Sequence, residues 1–466
     1  MVFSDLIFLY IFLCCFLIVY FLTPKRFKNL CLLVFSLIFY GWGEPKLVFL
    51  MIFSVLQGYI FGLLIEKHKG SIFSKIFAVS STVLSVGTLF LFKYANFFAD
   101  SFNAVFKSDI PLLKVALPIG ISFYTFQMLS YIIDVYKGKS KAQRSFINLA
   151  TYITMFPQLI AGPIVRYENI ADSLENRKTS LDDIAYGTRR FIFGLSKKVI
   201  LANELYALCE SFKSSSDKSV LFFWIYAVSC ALYIYFDFSA YSDMAIGLGR
   251  ILGFKFLENF NYPFIAKSIS EFWRRWHISL GTWFRDYIYI PLGGSRVTKK
   301  RLCLNLLIVW LLTGLWHGAS FTFLLWGAIF ALLLINEKLW FSKILDKAKF
   351  IRRIYVLFFV VLSFVLFDSE TVSEAFKNIG SMLFLDDYPL VSEEAIYYLK
   401  SYAIIILVSL IGATPLLKVV LNKLKDNSVA KAVLNIIEPF VISSLLILST
   451  AYIIDSTFNP FLYFRF

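Results

Sequence analysis

Apolar runs of near membrane-crossing length recur along this chain, and no soluble stretch of domain length separates them. A membrane-spanning helix needs about 20 apolar residues. Candidate runs, several of them short, lie at 6–22, 30–40, 47–65, 76–92, 112–133, 220–246, 355–367, 402–417 and 436–454. The 466 residues are 59% hydrophobic and 17% charged, where globular chains hold about 45–50% and about 25%. A water-soluble globule could not bury that much apolar side chain. The chain therefore reads as an all-α polytopic membrane protein, one integral-membrane domain over 1–466. Soluble enzymes, secreted disulfide scaffolds and disordered chains are excluded.

The basic residues say how the runs are oriented. The formal charge is +15, but the cations fall in short connectors between apolar runs, which is how orientation in a bilayer is written. No basic stripe stands apart from those runs, so nucleic acid is not an expected partner. Lys25, Arg26 and Lys28 follow the first run, which places the N-terminus outside and that connector in the cytoplasm. Further basic connectors follow at 67–75 and 137–144. The segment 255–301 carries nine basic residues against Glu258, Glu271 and Asp286, and reads as cytoplasmic. The segment 368–400 carries seven acids against Lys377 and Lys400, and reads as external. The start lacks a basic n-region, so the first run reads as a retained helix. The six cysteines show no paired spacing and read as small apolar side chains.

Two apolar stretches have basic connectors at both ends. The first, 146–165, contains Pro157, Gly162 and Pro163, which break a helix. The second, 303–335, is centred on Gly314-Leu-Trp-His-Gly-Ala-Ser320. Both ends on one side imply a segment that enters the membrane and returns, and irregular backbone at that depth must be buried in protein or line a cavity. The charge pattern thus puts His317 deep in the membrane beside a cavity.

The chain has only three histidines. His68 sits in a solvated basic loop. His317 is an intramembrane ionisable group, a functional candidate by default. Imidazole can take a proton from a hydroxyl and return it to a leaving group. It could equally be a satisfied histidine joining two helices. His277 lies in Ser270-Glu-Phe-Trp-Arg-Arg-Trp-His-Ile-Ser-Leu-Gly281, where one continuous helix would put Trp273, His277, Leu280 and Phe284 on one face with Arg274 and Arg275 turned away. That reads as an amphipathic interfacial helix, in which the histidine could be incidental. Asp237 and Asp243 interrupt an apolar run. Helical spacing groups Asp237 with Tyr241 to line a cavity, and Asp243 with Arg250 as an ion pair. No phosphate-binding loop, G-x-S-x-G elbow or metal-ligand cluster is evident, so ATPase, serine-hydrolase and metal chemistry are not expected.

These residues closely resemble the membrane-bound O-acyltransferase superfamily, in its bacterial alginate and peptidoglycan O-acetyltransferase branch. The resemblance is carried by Phe39-Tyr-Gly-Trp42, Gly120-Ile-Ser-Phe-Tyr-Thr-Phe-Gln127, Phe156-Pro-Gln-Leu-Ile-Ala-Gly-Pro163 and Phe458-Asn-Pro-Phe-Leu-Tyr-Phe-Arg-Phe466, and is strongest over 235–335. It implies a ring of about 11–13 tilted, partly broken and re-entrant helices around a central tunnel in a bacterial cell membrane. It makes His317 the catalytic histidine and His277 the second signature residue, with Asp237, Tyr241, Trp273, Arg274, Arg275, Arg285 and Trp316 as candidate substrate-binding residues. It implies no bound cofactor. The expected donor is acetyl-CoA or another acyl thioester at a basic cytoplasmic face around Arg274, Arg275 and Arg285. The expected acceptor is a glycan, reached through an extracytoplasmic partner of the SGNH-hydrolase type. The alternatives are D-alanyl transfer to teichoic acid from a carrier protein and, from another class, a transporter with Asp237 and Asp243 as coupling groups.

Overall fold

A computed structural model describes residues 2–341, 349–455 and 461. Of the terminal Phe458–Phe466 motif, only Phe461 is among them. Every regular element in the described residues is helical. Five helices are long and apolar enough to cross a membrane, or six if the bent pair Glu393–Ser401 and Ala403–Gly412 counts as one span. The other apolar runs are shorter or interrupted, as their lengths in the sequence require.

The described residues form two compact units, interleaved along the chain. The first comprises 2–191 and 242–257; the second comprises 192–241, 258–341, 349–455 and Phe461. The first unit begins with the apolar helix Ile7–Leu22. Its face carries Phe8, Phe12 and Phe16, spaced four apart, which meet Phe39 and Phe156 with ring centroids 5.1–6.2 Å apart. Such edge-on pairs add about 0.5–1.5 kcal/mol each beyond area burial.

Three sequence boundaries change here. The run 76–92 lies within one helix, Ile72–Phe106, that absorbs most of the connector expected after it. The run 112–133 is helical only from Ile121 to Tyr136. Pro111 and Pro118 disfavour helix in the residues before them, and Gly120 turns with φ +73°. A Cβ at Gly120 would lie 2.7 Å from the Leu159 carbonyl, so only glycine allows that approach. The run 402–417 is helical over Ala403–Gly412 and bends 59° from the preceding helix at Tyr402. The interruption expected in 146–165 is present: one helix ends at Thr154 and only a single turn, Phe156–Leu159, follows.

The expected Asp243–Arg250 pair does not form. Asp243 instead accepts from Arg190 Nε and Nη2 at 3.1 and 2.8 Å, and Arg250 pairs with Asp183 at 3.1 Å. Spacing along one helix had brought the two together. Partners from the Leu181–Ser196 helix offer each charge shorter reach.

In the second unit the stretch 303–335 is a hairpin. Helices Lys299–His317 and Phe321–Asn336 run antiparallel, joined by Gly318, Ala319 and Ser320. Ser320 caps the second helix by accepting the Phe323 N–H. The two backbones touch through glycine: a Cβ at Gly314 would stand 2.2 Å from the Phe323 carbonyl, and one at Gly327 would stand 2.3 Å from that of Trp310. Gly314→Ala should therefore destabilise the fold by about 1–3 kcal/mol through overpacking. Gly281→Ala, whose Cβ would meet its nearest atom at 3.7 Å, should not. Melting of the two purified variants in detergent decides this, and equal melting would disprove the close helix contact.

Candidate active site

The helix Val220–Ile251 is 83% buried over its apolar window, and its first 22 residues belong to the second unit. Around it the sequence expectation of one amphipathic helix over 270–281 is corrected. Two seven-residue helices, Ile269–Arg275 and Ile278–Phe284, flank a break at Trp276-His277. His277 takes the left-handed conformation with φ +43°, a strain of about 1–3 kcal/mol for a non-glycine residue that survives only when its surroundings fix it.

Those surroundings are the loop at Asn259. The Ile278 N–H donates to the Asn259 carbonyl at 2.9 Å, and the Asn261 N–H donates to the Arg275 carbonyl at 2.9 Å. The Asn259 side chain, fully buried, accepts at Oδ1 from the Ser279 N–H at 3.2 Å and the Ser279 hydroxyl at 2.9 Å. His277 Nδ1 lies 3.1 Å from the same oxygen. A backbone N–H can only donate, so the atom facing it is the amide oxygen, and Nδ1 must carry the proton that points at it. The neutral ring is thus the Nδ1–H tautomer, with its lone pair on Nε2. Among the described residues Nε2 has no hydrogen-bond partner. His277 lies outside every helix long enough to cross a membrane. Burial, and then the nearby His317, pushes its pKa well below the ordinary imidazole value.

His317 is the last residue of the first hairpin helix, and its position at the tip follows from the extended Gly318 that ends that helix. Both imidazoles are nearly inaccessible, at 2% and 4% exposure. The Trp316 indole meets both rings, at 5.5 Å from His277 and 5.0 Å from His317. Phe238 closes the other side of His277 at 4.6 Å. Trp326 and Phe367 meet the His317 ring edge-on at 5.1 and 5.2 Å. Trp273 joins this wall through Trp326 at 5.5 Å, Trp310 at 4.6 Å and Phe330 at 4.8 Å. Two imidazoles are therefore held in a sheath of aromatic rings from which bulk water is excluded, where a polar interaction is stronger than in water.

The remaining candidates separate. Asp237 is bound by Lys198 at 2.6 Å with both side chains fully buried. The Lys198 ammonium also sits 4.7 Å over the Phe461 ring, and Tyr241 meets that ring at 5.1 Å. Arg275 is engaged by Glu271 at 2.8 Å and Arg285 by Asp286 at 2.6 Å. Of these three arginines, Arg274 alone is exposed and outside any ion pair among the described residues. Glu337, buried at the end of the second hairpin helix, accepts the Ile269 and Ser270 N–H groups at 2.6 and 3.3 Å, pinning the start of the Trp273 helix.

Asn259, Lys198 and Glu337 escaped the sequence reading. Lys198 had a signal, a cation inside an apolar run, and it occupies the wide helical turn Lys197–Ala202, a form found often at functional sites. Asn259 had none, since an asparagine in a loop reads as a turn residue.

The membrane-bound O-acyltransferase family model matches residues 139–376, which contain Lys198, His277 and His317. The chain belongs to this family. Among its relatives, the probable alginate O-acetylase AlgI of Azotobacter vinelandii is 41% identical over 396 residues, 84% of this chain and 79% of the relative. The peptidoglycan O-acetyltransferase of Helicobacter pylori is 31% identical over 440 residues, 86% and 83% of the two chains. The teichoic acid D-alanyltransferase of Bacillus subtilis is 28% identical over 333 residues, 67% and 81%. This family member is a membrane O-acyltransferase, and its hydrophobicity and apolar helices are those of a polytopic membrane protein.

Proposed function

We propose that the protein takes an acyl group, acetyl in the first instance, from a cytoplasmic thioester and delivers it across the bacterial inner membrane for O-acylation of an envelope or extracellular polysaccharide. The observation that carries this reading is the pair of buried imidazoles that both meet the Trp316 ring. His317 is the general base: it takes the proton of the acceptor hydroxyl as that oxygen attacks the thioester carbonyl. The C–S bond breaks, and the imidazolium returns the proton to the departing thiolate. Proton transfer of this kind contributes about 10²–10⁴-fold. His277 presents a lone pair at Nε2 rather than a proton, so it orients the reacting groups and does not polarise the carbonyl by donation. The exposed Arg274 is the natural contact for a phosphate-bearing donor.

The greater identity to O-acetylases than to D-alanyltransferases favours acetyl over D-alanyl. An extracytoplasmic partner of the SGNH-hydrolase type would complete transfer to the glycan. The test is made in right-side-out vesicles from a bacterial inner membrane, loaded with labelled acetyl-CoA and supplied outside with polysaccharide and the partner. O-acetyl ester should accumulate outside, and only when His317 is intact. Labelling that requires an acyl-carrier protein in place of acetyl-CoA would favour the D-alanyl reading. Polysaccharide export that persists without either histidine would favour a transporter.

Asn259 has a measurable place in this scheme as a positioning residue. Asn259→Ala should lower kcat about tenfold, the value of one buried hydrogen bond of about 1.4 kcal/mol. Asn259→Asp keeps the acceptor oxygen but puts a carboxylate against Nδ1–H. That favours imidazolium, raises the His277 pKa and moves the acidic limb of the pH–rate profile to higher pH. A purely structural asparagine would lower both variants' yields without moving that limb.

A further inference from the structure

Hydrogen bonds fasten the external acidic segment to the start of the Val220–Ile251 helix. The Val220 and Leu221 N–H groups donate to the Pro389 and Leu390 carbonyls, both at 3.0 Å. The Ser392 hydroxyl donates to the Asp217 carbonyl at 3.0 Å, and the Glu394 N–H reaches the Asp217 carboxylate at 3.1 Å. Trp224 Nε1 donates to the Met382 carbonyl at 3.1 Å. The segments so joined line a pocket of about 380 Å³, within the range of about 300–1,000 Å³ typical of small-molecule sites.

Its position and chemistry both bear on the acceptor. Asp368 lines the pocket and directly follows Phe367, whose ring meets His317 at 5.2 Å. The helix Lys349–Asp368 therefore contributes one residue to the pocket and the preceding one to the wall around His317. Asp368 itself is committed, to the Lys213 ammonium at 2.8 Å and the Tyr226 hydroxyl at 2.8 Å. Glu374 accepts the Glu370 N–H at 3.0 Å and keeps its other carboxylate oxygen available. Lys218 and Lys377 also line the pocket, and neither forms an ion pair among the described residues. Burial, and then the Lys377 ammonium, pushes the Lys218 pKa below the ordinary lysine value. Aromatic surface completes the wall: the Lys218 ammonium lies 4.7 Å over Phe212, and Tyr388 meets Phe223 at 5.2 Å.

Ammonium donors, a carboxylate acceptor and aromatic faces together match a saccharide. Its oxygens accept, its hydroxyls donate, and its C–H face packs on rings. We propose that this pocket is a saccharide subsite that holds a sugar unit of the acceptor polysaccharide. Lys218 and Lys377 donate to its oxygens, Glu374 accepts from a hydroxyl, and Tyr388 lies along its C–H face. This rests on reading the protein as a polysaccharide acyltransferase. An acidic peptide from a partner protein is the competing occupant; it would satisfy Lys218 and Lys377 but would give the Glu374 carboxylate no hydroxyl donor and Tyr388 no C–H face.

The test uses the full chain in nanodiscs and saturation-transfer NMR with three probes: a hexuronate tetrasaccharide, its neutral hexose counterpart and a polyglutamate peptide. At least one saccharide should show transfer. The double variant Lys218→Gln/Lys377→Gln, and separately Tyr388→Ala, should each weaken that binding about fivefold, the worth of about 1 kcal/mol of lost contact. The double lysine variant should melt with the parent, since Lys377 is exposed and Lys218 half-buried, and Tyr388→Ala, which loses its Phe223 contact, is compared at matched amounts of folded protein. No transfer from either saccharide, a signal that survives both variants, or binding of polyglutamate alone overturns the subsite. His317→Gln separates the two readings. The subsite predicts saccharide binding undiminished in that variant, and binding is read without turnover.

Discussion

His317→Gln should reach the membrane folded and melt within about 1 °C of the parent while its O-acyl transfer falls by the whole general-base contribution, about 10²–10⁴-fold. Glutamine fills most of the imidazole's volume, and the aromatic sheath of Trp316, Trp326 and Phe367 that surrounds the ring stays in place. What it removes is a group able to hold a proton between the attack on the acyl carbon and the departure of the thiolate. Transfer is measured as O-acetyl ester released from polysaccharide by mild base, with protein quantity matched by immunoblot. If the ester persists at parental levels, His317 is a structural histidine that ties the hairpin tip to Phe367, and the chemistry lies elsewhere.

The second large effect concerns Lys198 and Asp237, whose ammonium and carboxylate are 2.6 Å apart and fully buried. Removing one partner of a buried pair costs about 3–5 kcal/mol, because the other charge is left in a medium that cannot solvate it. Lys198→Met and Asp237→Leu should therefore each lose most of the monodisperse protein on size exclusion in detergent. The double variant Lys198→Met/Asp237→Leu should regain it, since two apolar side chains of similar volume leave no charge behind. Transfer activity in the double variant then decides the role of the pair. Full activity makes it scaffolding, and a stable but inactive double variant gives Asp237 a place in the chemistry. Single variants as stable as the parent would contradict the burial that makes the pair costly to break.

Legibility in the sequence followed the range of the physics involved. Connector charge and run length placed the hairpin over 303–335 with His317 at its turn, because a chain with both ends on one side of a bilayer has few ways to return. Pro157 marked its break from first principles, whereas apolar content overrode the prolines before Ile121 and made 112–133 one run, of which only the part from Ile121 is helical. The local patterns failed where partners came from other helices. Periodicity put Asp243 with Arg250, but Arg190 and Asp183 offered each charge a nearer counter-ion from the Leu181–Ser196 helix. Periodicity also made 270–281 one helix, because helical spacing of Trp273, His277 and Leu280 is an apolar pattern and cannot see the Asn259 loop that forces the chain into the left-handed region at His277.

By itself, the sequence determined that this chain lives in a membrane, that its regular structure is helical, which family it belongs to and which two histidines stand out. Those conclusions need only composition, the sign of connector charge and the order of short motifs, all one-dimensional properties. Tertiary structure alone decided the tautomer of His277, the commitment of Asp237 to Lys198 and the pocket that Asp368 lines. Each is set by a hydrogen bond or ion pair between residues far apart in the chain, and a partner's distance and direction are not written in the spacing of either residue.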